Sequence, residues 1–292
     1  MSSPQFEFSK IVVLEALADG ERKTGREIVD TLRLQLIALN NNLLVEYIQV
    51  RGRGELIKAL DQLLEEAVEG HAPILHIECH GSPEGGLGLP DDTSLSWQDL
   101  AEKLLRINLQ TNFNLFVLVS ACFGAYFLSM LSAIRPCPCW GIVAPTDTVY
   151  PNELESGFSE FYSVLFSTWD LTEAVSALRD RPLQNGYWLS ELSEHWFEKI
   201  LINYFTTYCT PDAMEIRLLD LRTRRENEGL PWMSMKDLRT ELRRANEAAP
   251  EKYFAVYFQS KVIPGLEDRF SELLNRVERQ IQLLDSGSSV QH

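Results

Sequence analysis

The stretch PILHIECHG at 73–81 decides how this chain folds. Its first seven residues are almost continuously apolar, which marks a strand buried on both faces, the habit of a parallel sheet covered by helices. A second run of the same kind, NLFVLVSAC at 114–122, follows some forty residues later. Each ends in a side chain able to do chemistry: His80 before Gly81, and Cys122 shortly before Gly124. In an open parallel sheet, binding and catalytic groups gather at the carboxyl ends of the strands. A thiol and an imidazole carried there by neighbouring strands would form a nucleophile and its base.

The flanking sequence alternates in type. KIVVLEAL at 10–17 reads as a strand, and 24–39 has helical spacing through Ile28, Leu32, Leu36 and Leu39. LLVEYIQV at 43–50 is again strand-like, and 55–68 is helical. A glycine-rich turn at 81–88 leads to Ser96, a helix cap with Asp99 at the capping-box position. Helix is expected at 124–134, strand at 140–144 and helix at 153–168. This order predicts an α/β fold, a three-layer α/β/α sandwich around a mostly parallel sheet. After about residue 180 the sequence turns mainly helical, with charged amphipathic stretches at 213–228 and 235–248 and a helix at 266–284. KYFAVYFQ at 252–259 reads as an isolated strand, and 286–292 as a disordered tail. The domains are therefore expected at 1–182 and 183–285.

Composition narrows the function. The 292 residues carry a net charge of −15, which argues against a phosphate-binding face and hence against direct nucleic-acid contact. No apolar run approaches the roughly 18 residues of a membrane span, and the first residues lack a signal peptide's basic flank and apolar core. Five cysteines, an odd set with three in or beside core strands, fit free thiols in a reducing cytoplasm. Cys137 and Cys139 match no structural zinc spacing, so neither metal nor cofactor is expected. His195, between aromatic neighbours, reads as a core residue.

Cys122 alone is as readily a small buried hydrophobe, and His80 alone a structural histidine. Together they carry more, because each closes a separate strand and is followed closely by glycine. Gly81 would admit a substrate backbone, and the N–H groups of Gly81 and Cys122 would converge on one oxygen as an oxyanion hole. Asp147, in the loop after 140–144, would favour a Lys or Arg side chain by charge pairing, or else serve only its turn. Asp91 and Asp92 read as turn residues. Glu78 and His76 alternate with His80 and either could orient it.

LHIECHG at 75–81, LPDDTSLSWQDL at 89–100 and LFVLVSACFGAY at 115–126 resemble the CHAT branch of the caspase-like (clan CD) cysteine peptidases. GIVAPTDTVYPNELESGFSEFYSVLF at 141–166 and DLTEAVSALRD at 170–180 continue the likeness, which covers about residues 8–182. The resemblance implies a caspase-like fold and a cysteine endopeptidase with Cys122 as nucleophile and His80 as the acid that protonates the leaving amine. Gly81 and Cys122 would supply the oxyanion hole through their backbone N–H groups. It also implies a protein substrate encoded nearby and a triggered role in prokaryotic antiviral defence. The helical extension would be a place for a partner or regulatory protein to dock, or else simply extra helices that complete the fold. Phe123 departs from the polar residue that often follows the cysteine in that family. The alternatives are an inactive caspase-like interaction protein and a thiol hydrolase of small esters or amides.

Overall fold

The computed structural model describes residues 6–131 and 135–287. The first unit is an α/β sandwich on an eight-stranded, mostly parallel mixed sheet. Its main path runs β2 (Leu44–Gln49), β1 (Lys10–Ala16), β3 (Pro73–Ser82), β6 (Phe116–Ser120), β7 (Gly141–Pro145) and β8 (Trp188–Leu192). The first five are parallel, and β8 closes the edge antiparallel to β7. β4 (Gly86–Gly88) folds back on the end of β3, and β5 (Ser94–Leu95) pairs with β4.

The central strands are buried because helices cover both faces. On one face α1 (Thr24–Ala38) packs on α4 (Pro151–Thr168), which packs on α5 (Leu171–Arg179). On the other, α2 (Arg53–Val68) packs on α3 (Trp97–Gln110), and α3 on a 3₁₀ segment, Gly124–Met130. Alternation along the strands sorts their side chains between these layers. Phe116 stacks on Phe161 of α4, and His76 meets Phe158 with its ring tilted by 59°. Ser96 caps α3 through the Asp99 N–H, as the capping pattern predicts.

The chain divides into two compact units at Ser193/Glu194 rather than at 182/183, because β8 completes the sheet. That strand has no clean alternation to announce it: Trp188 and Glu191 are buried while Leu189 and Ser190 are half-buried. The second unit is helical, with α6 (Ser193–Tyr208), α7 (Pro211–Asn227), α8 (Met235–Glu247), α9 (Ala249–Tyr257), α10 (Leu266–Arg269) and α11 (Ser271–Gly287). The expected strand at 252–259 is wrong. Its β-prone aromatics instead place Phe254, Tyr257 and Phe258 on one helical stripe against Phe197 of α6, and no described strand of this unit is there to pair with. His195 is exposed, not core, while Phe197 two residues on is fully buried. Of the expected tail at 286–292, Ser286 and Gly287 close α11 and 288–292 lie outside the described residues. The helix expected at 124–134 is a 3₁₀ segment ending at Met130, and 132–134 also lie outside them.

Candidate active site

β3 and β6 are neighbours in parallel register, with Ile74 opposite Phe116 and Glu78 opposite Ser120. His80 and Cys122 each lie two residues beyond that last pair, at the carboxyl edge of the sheet. Gly81 shows how close the two chains come. A Cβ built there would lie 2.2 Å from the Cys122 carbonyl oxygen and 3.1 Å from the Ala121 Cβ. Only glycine fits this position, because the obstruction is backbone.

After Cys122 the chain reverses sharply. Phe123 adopts a left-handed conformation (φ 57°), and its N–H donates to the Asp147 carbonyl at 3.0 Å. The loop after β7 thereby wraps the sulfur. The Val149 N–H donates to Sγ at 3.5 Å, and the thiol approaches the Val149 carbonyl at 3.8 Å. Among the described residues nothing accepts the Cys122 N–H, as an oxyanion-hole donor requires. Cys122 is half-buried, whereas Cys79, Cys137 and Cys139 are buried, and none of the five cysteines is joined in a disulfide. Burial, followed by the charge of Glu78, pushes the Cys79 thiol well above the usual range, so Cys79 is a poor nucleophile.

His80 is held by a residue that the sequence did not single out. Its Nε2–H donates to Glu21 Oε1 at 2.7 Å. Glu21 sits in the loop between β1 and α1, where its other oxygen accepts the Ala18 N–H at 2.6 Å. Burial acts to raise the Glu21 pKa, but the Ala18 N–H, His80 and Lys23 together hold it below the ordinary carboxylate value. Lys23 pins the same loop through the carbonyls of Leu17 and Ala18. No hydrogen bond joins His80 to Cys122 among the described residues. Glu21 is served by Nε2, so Nδ1 is the ring nitrogen left for any other partner.

Glu78 and His76, weighed as partners of His80, belong to a separate buried network. The His76 Nε2–H donates to Glu78 Oε1 at 2.9 Å, so its Nδ1 accepts the Tyr162 hydroxyl at 3.1 Å. Glu78 Oε2 accepts Thr24 Oγ1 at 2.7 Å. Glu15, opposite Glu78 in register, accepts the Gly25 N–H at 2.8 Å and the Tyr47 hydroxyl at 2.6 Å. Both carboxylates are essentially inaccessible, and the N-terminus of α1 is aimed at them. Burial first, then Glu78, drives the Tyr162 pKa far up and keeps its proton in place. The network anchors the first turn of α1, and with it the loop that carries Glu21.

Asp147 lies in the loop whose Val149 meets the sulfur, but its own contacts are local. Its carbonyl holds Phe123, and its carboxylate accepts the Thr148 N–H at 2.6 Å. No cation pairs with it among the described residues. Asp91 accepts from Thr93, as expected of a turn, and Asp92 adopts φ 61°. The hairpin at 81–88 is tied by Trp97 Nε1 donating to the Ser82 carbonyl at 3.0 Å. No group of three or more candidate metal ligands occurs among the described residues, and no helix among them is long and apolar enough to cross a membrane.

No family model and no curated protein matches this chain. The functional reading therefore rests on the geometry of the carboxyl edge and on the short motifs that frame it.

Proposed function

We propose that this protein is a CHAT-type, caspase-like cysteine endopeptidase that cuts a specific protein partner. The observation that supports the proposal is the packing at the carboxyl edge: β3 and β6 pair in parallel as far as Glu78 and Ser120, and Gly81, next to His80, lies against the Cys122 backbone. The Cys122 sulfur attacks the scissile carbonyl while its proton passes to His80 Nδ1. An S–C bond forms, and the carbonyl oxygen gains charge facing the Cys122 and Gly81 N–H groups. The tetrahedral centre collapses as His80 returns the proton to the leaving amine and the C–N bond breaks. Water, deprotonated by the same imidazole, then hydrolyses the thioester and restores the thiol. Glu21 orients the ring and stabilises the imidazolium that forms in passing, the part a carboxylate plays in other nucleophile–imidazole pairs. Asp147 would receive a basic side chain of the substrate.

The wider role, a triggered cytoplasmic effector of antiviral defence acting on a protein encoded nearby, follows from the motif resemblance. The test incubates wild type and Cys122→Ala with the proteins encoded beside it and maps new N-termini. Cleavage by wild type alone supports the proposal, and identical fragments from both proteins refute it. His80→Ala should abolish the same cleavage while its circular dichroism spectrum stays that of wild type.

A further inference from the structure

The loop that touches the Cys122 sulfur has an anchor of its own. It joins β7 to α4, and within it the Val149 N–H meets Sγ at 3.5 Å. Directly after Val149, the Tyr150 N–H is held at 2.9 Å by Glu153 Oε2, from the first turn of α4. A glutamate three residues into a helix commonly serves the cap in this way. Its second oxygen does something that capping does not require: it accepts the Gln184 N–H, thirty-one residues along the chain.

The segment that Gln184 opens meets the same loop at three further points. The Thr146 N–H donates to the Tyr187 carbonyl at 3.0 Å, and Thr146 Oγ1 accepts the Tyr187 N–H at 2.9 Å. The Asn185 amide donates to Thr148 Oγ1 at 3.0 Å. Gly186 adopts φ 68°, and a Cβ there would lie 2.4 Å from Thr146 Oγ1 and 2.9 Å from the Asp147 Cβ. The pairing of β7 with β8 ends at Pro145 and Trp188, so these bonds serve the loop and not the ladder.

We infer that Glu153 and the segment 184–187 form a clasp that positions the Cys122 sulfur, with Glu153 as its positioning residue. A cysteine side chain can occupy several staggered positions. Contacts from the Val149 N–H and carbonyl favour one of them and cover one side of Sγ, provided that the loop stays where the clasp holds it. Reaction geometry is sensitive to such placement, because a shift of about 1 Å can cost about 100-fold in rate. The consequence for catalysis rests on the peptidase reading, whereas the clasp itself is a statement about how the loop is held.

The test is the rate of N-ethylmaleimide labelling at Cys122 in the full chain, read by mass spectrometry on variants whose circular dichroism matches wild type. Glu153→Ala frees the loop and should speed labelling roughly threefold or more. Glu153→Gln keeps an acceptor for one of the two N–H groups and should fall between. Asn185→Ala leaves the α4 cap intact, should also speed labelling, and carries the test if Glu153→Ala does not fold. Glu160→Gln breaks a 3.0 Å ion pair between α4 and Arg181 without touching the loop, and should label like wild type. On a protein that wild type cleaves, Glu153→Ala should lower kcat roughly tenfold or more while Glu160→Gln leaves it unchanged. Wild-type labelling in both Glu153→Ala and Asn185→Ala, equal acceleration by Glu160→Gln, or a loss confined to KM would overturn the inference. Absence of cleavage by wild type would instead refute the peptidase reading, and labelling would still decide the clasp.

Discussion

Replacing Gly81 by alanine tests the closeness of β3 and β6 directly. The new Cβ would sit 2.2 Å from the Cys122 carbonyl oxygen, where an ordinary C···O contact is about 3.3 Å. The strand ends must therefore part by roughly 1 Å, and both neighbours are too constrained to yield freely: His80–Ser82 pairs with β4, and Phe123 is tied to Asp147. Overpacking of this kind costs about 1–3 kcal/mol. For a unit of this size that corresponds to a fall in Tm of roughly 2–12 °C, at about 2–4 °C per kcal/mol. A 1 Å misplacement of reacting groups can cost about 100-fold in rate, so cleavage should suffer more than folding does. Differential scanning calorimetry reads the first effect, and the rate of Cys122 alkylation reads the altered surroundings of the sulfur. A Gly81→Ala protein that melts and alkylates like wild type would refute the close approach and the oxyanion hole built on it.

Thr24→Val removes one donor from the inaccessible Glu78 and should destabilise by about 1.5–3 kcal/mol in urea unfolding, while Thr24→Ser should retain most of the stability. Glu21→Gln addresses the acid limb. Because the folded-state pKa of Glu21 is lowered, its stabilisation is complete above about pH 4.3 and is lost as the pH falls through the folded value, so the difference between wild type and variant should shrink over that range in acid titrations followed by circular dichroism. Cys79 governs part of the alkaline limb. Its folded pKa is raised, so stability present below about pH 8.5 declines as the pH climbs, and Cys79→Ala should give a shallower decline between pH 8.5 and 10.

Much of this arrangement was readable from the chain. Continuous apolar runs that end in His80-Gly81 and Cys122 can be buried on both faces only in the middle of a covered sheet, so the strands and the residues at their ends were legible together. Glu21 was not legible. It lies in a short polar loop at 17–23, nearly sixty residues from His80, and its role follows from β1 lying next to β3, a neighbour relation that periodicity does not encode. Glu78 looked like a partner for His80 because both sit on the same strand, but two residues of rise and the first turn of α1 give it to His76 and Thr24 instead. The strand at 188–192 was lost for another reason: an edge strand buries only part of its surface, so its pattern is weak. At 252–259 the aromatic residues favoured a strand locally, and the helical spacing of 254, 257 and 258 prevailed through burial.

The Glu15–Glu78 network has a consequence for how this sequence can change over generations. Each polar atom there is spoken for by another, from Tyr47 through Glu15 and the α1 N-terminus to Glu78, His76 and Tyr162. Loss of one member strands its partners without water, whereas replacing the whole set by apolar residues of similar volume could be close to neutral. Single substitutions that remove a polar group thus cost stability even where a distant all-apolar solution is equally stable. The set can be inherited intact or abandoned wholesale, but it has no gradual exit.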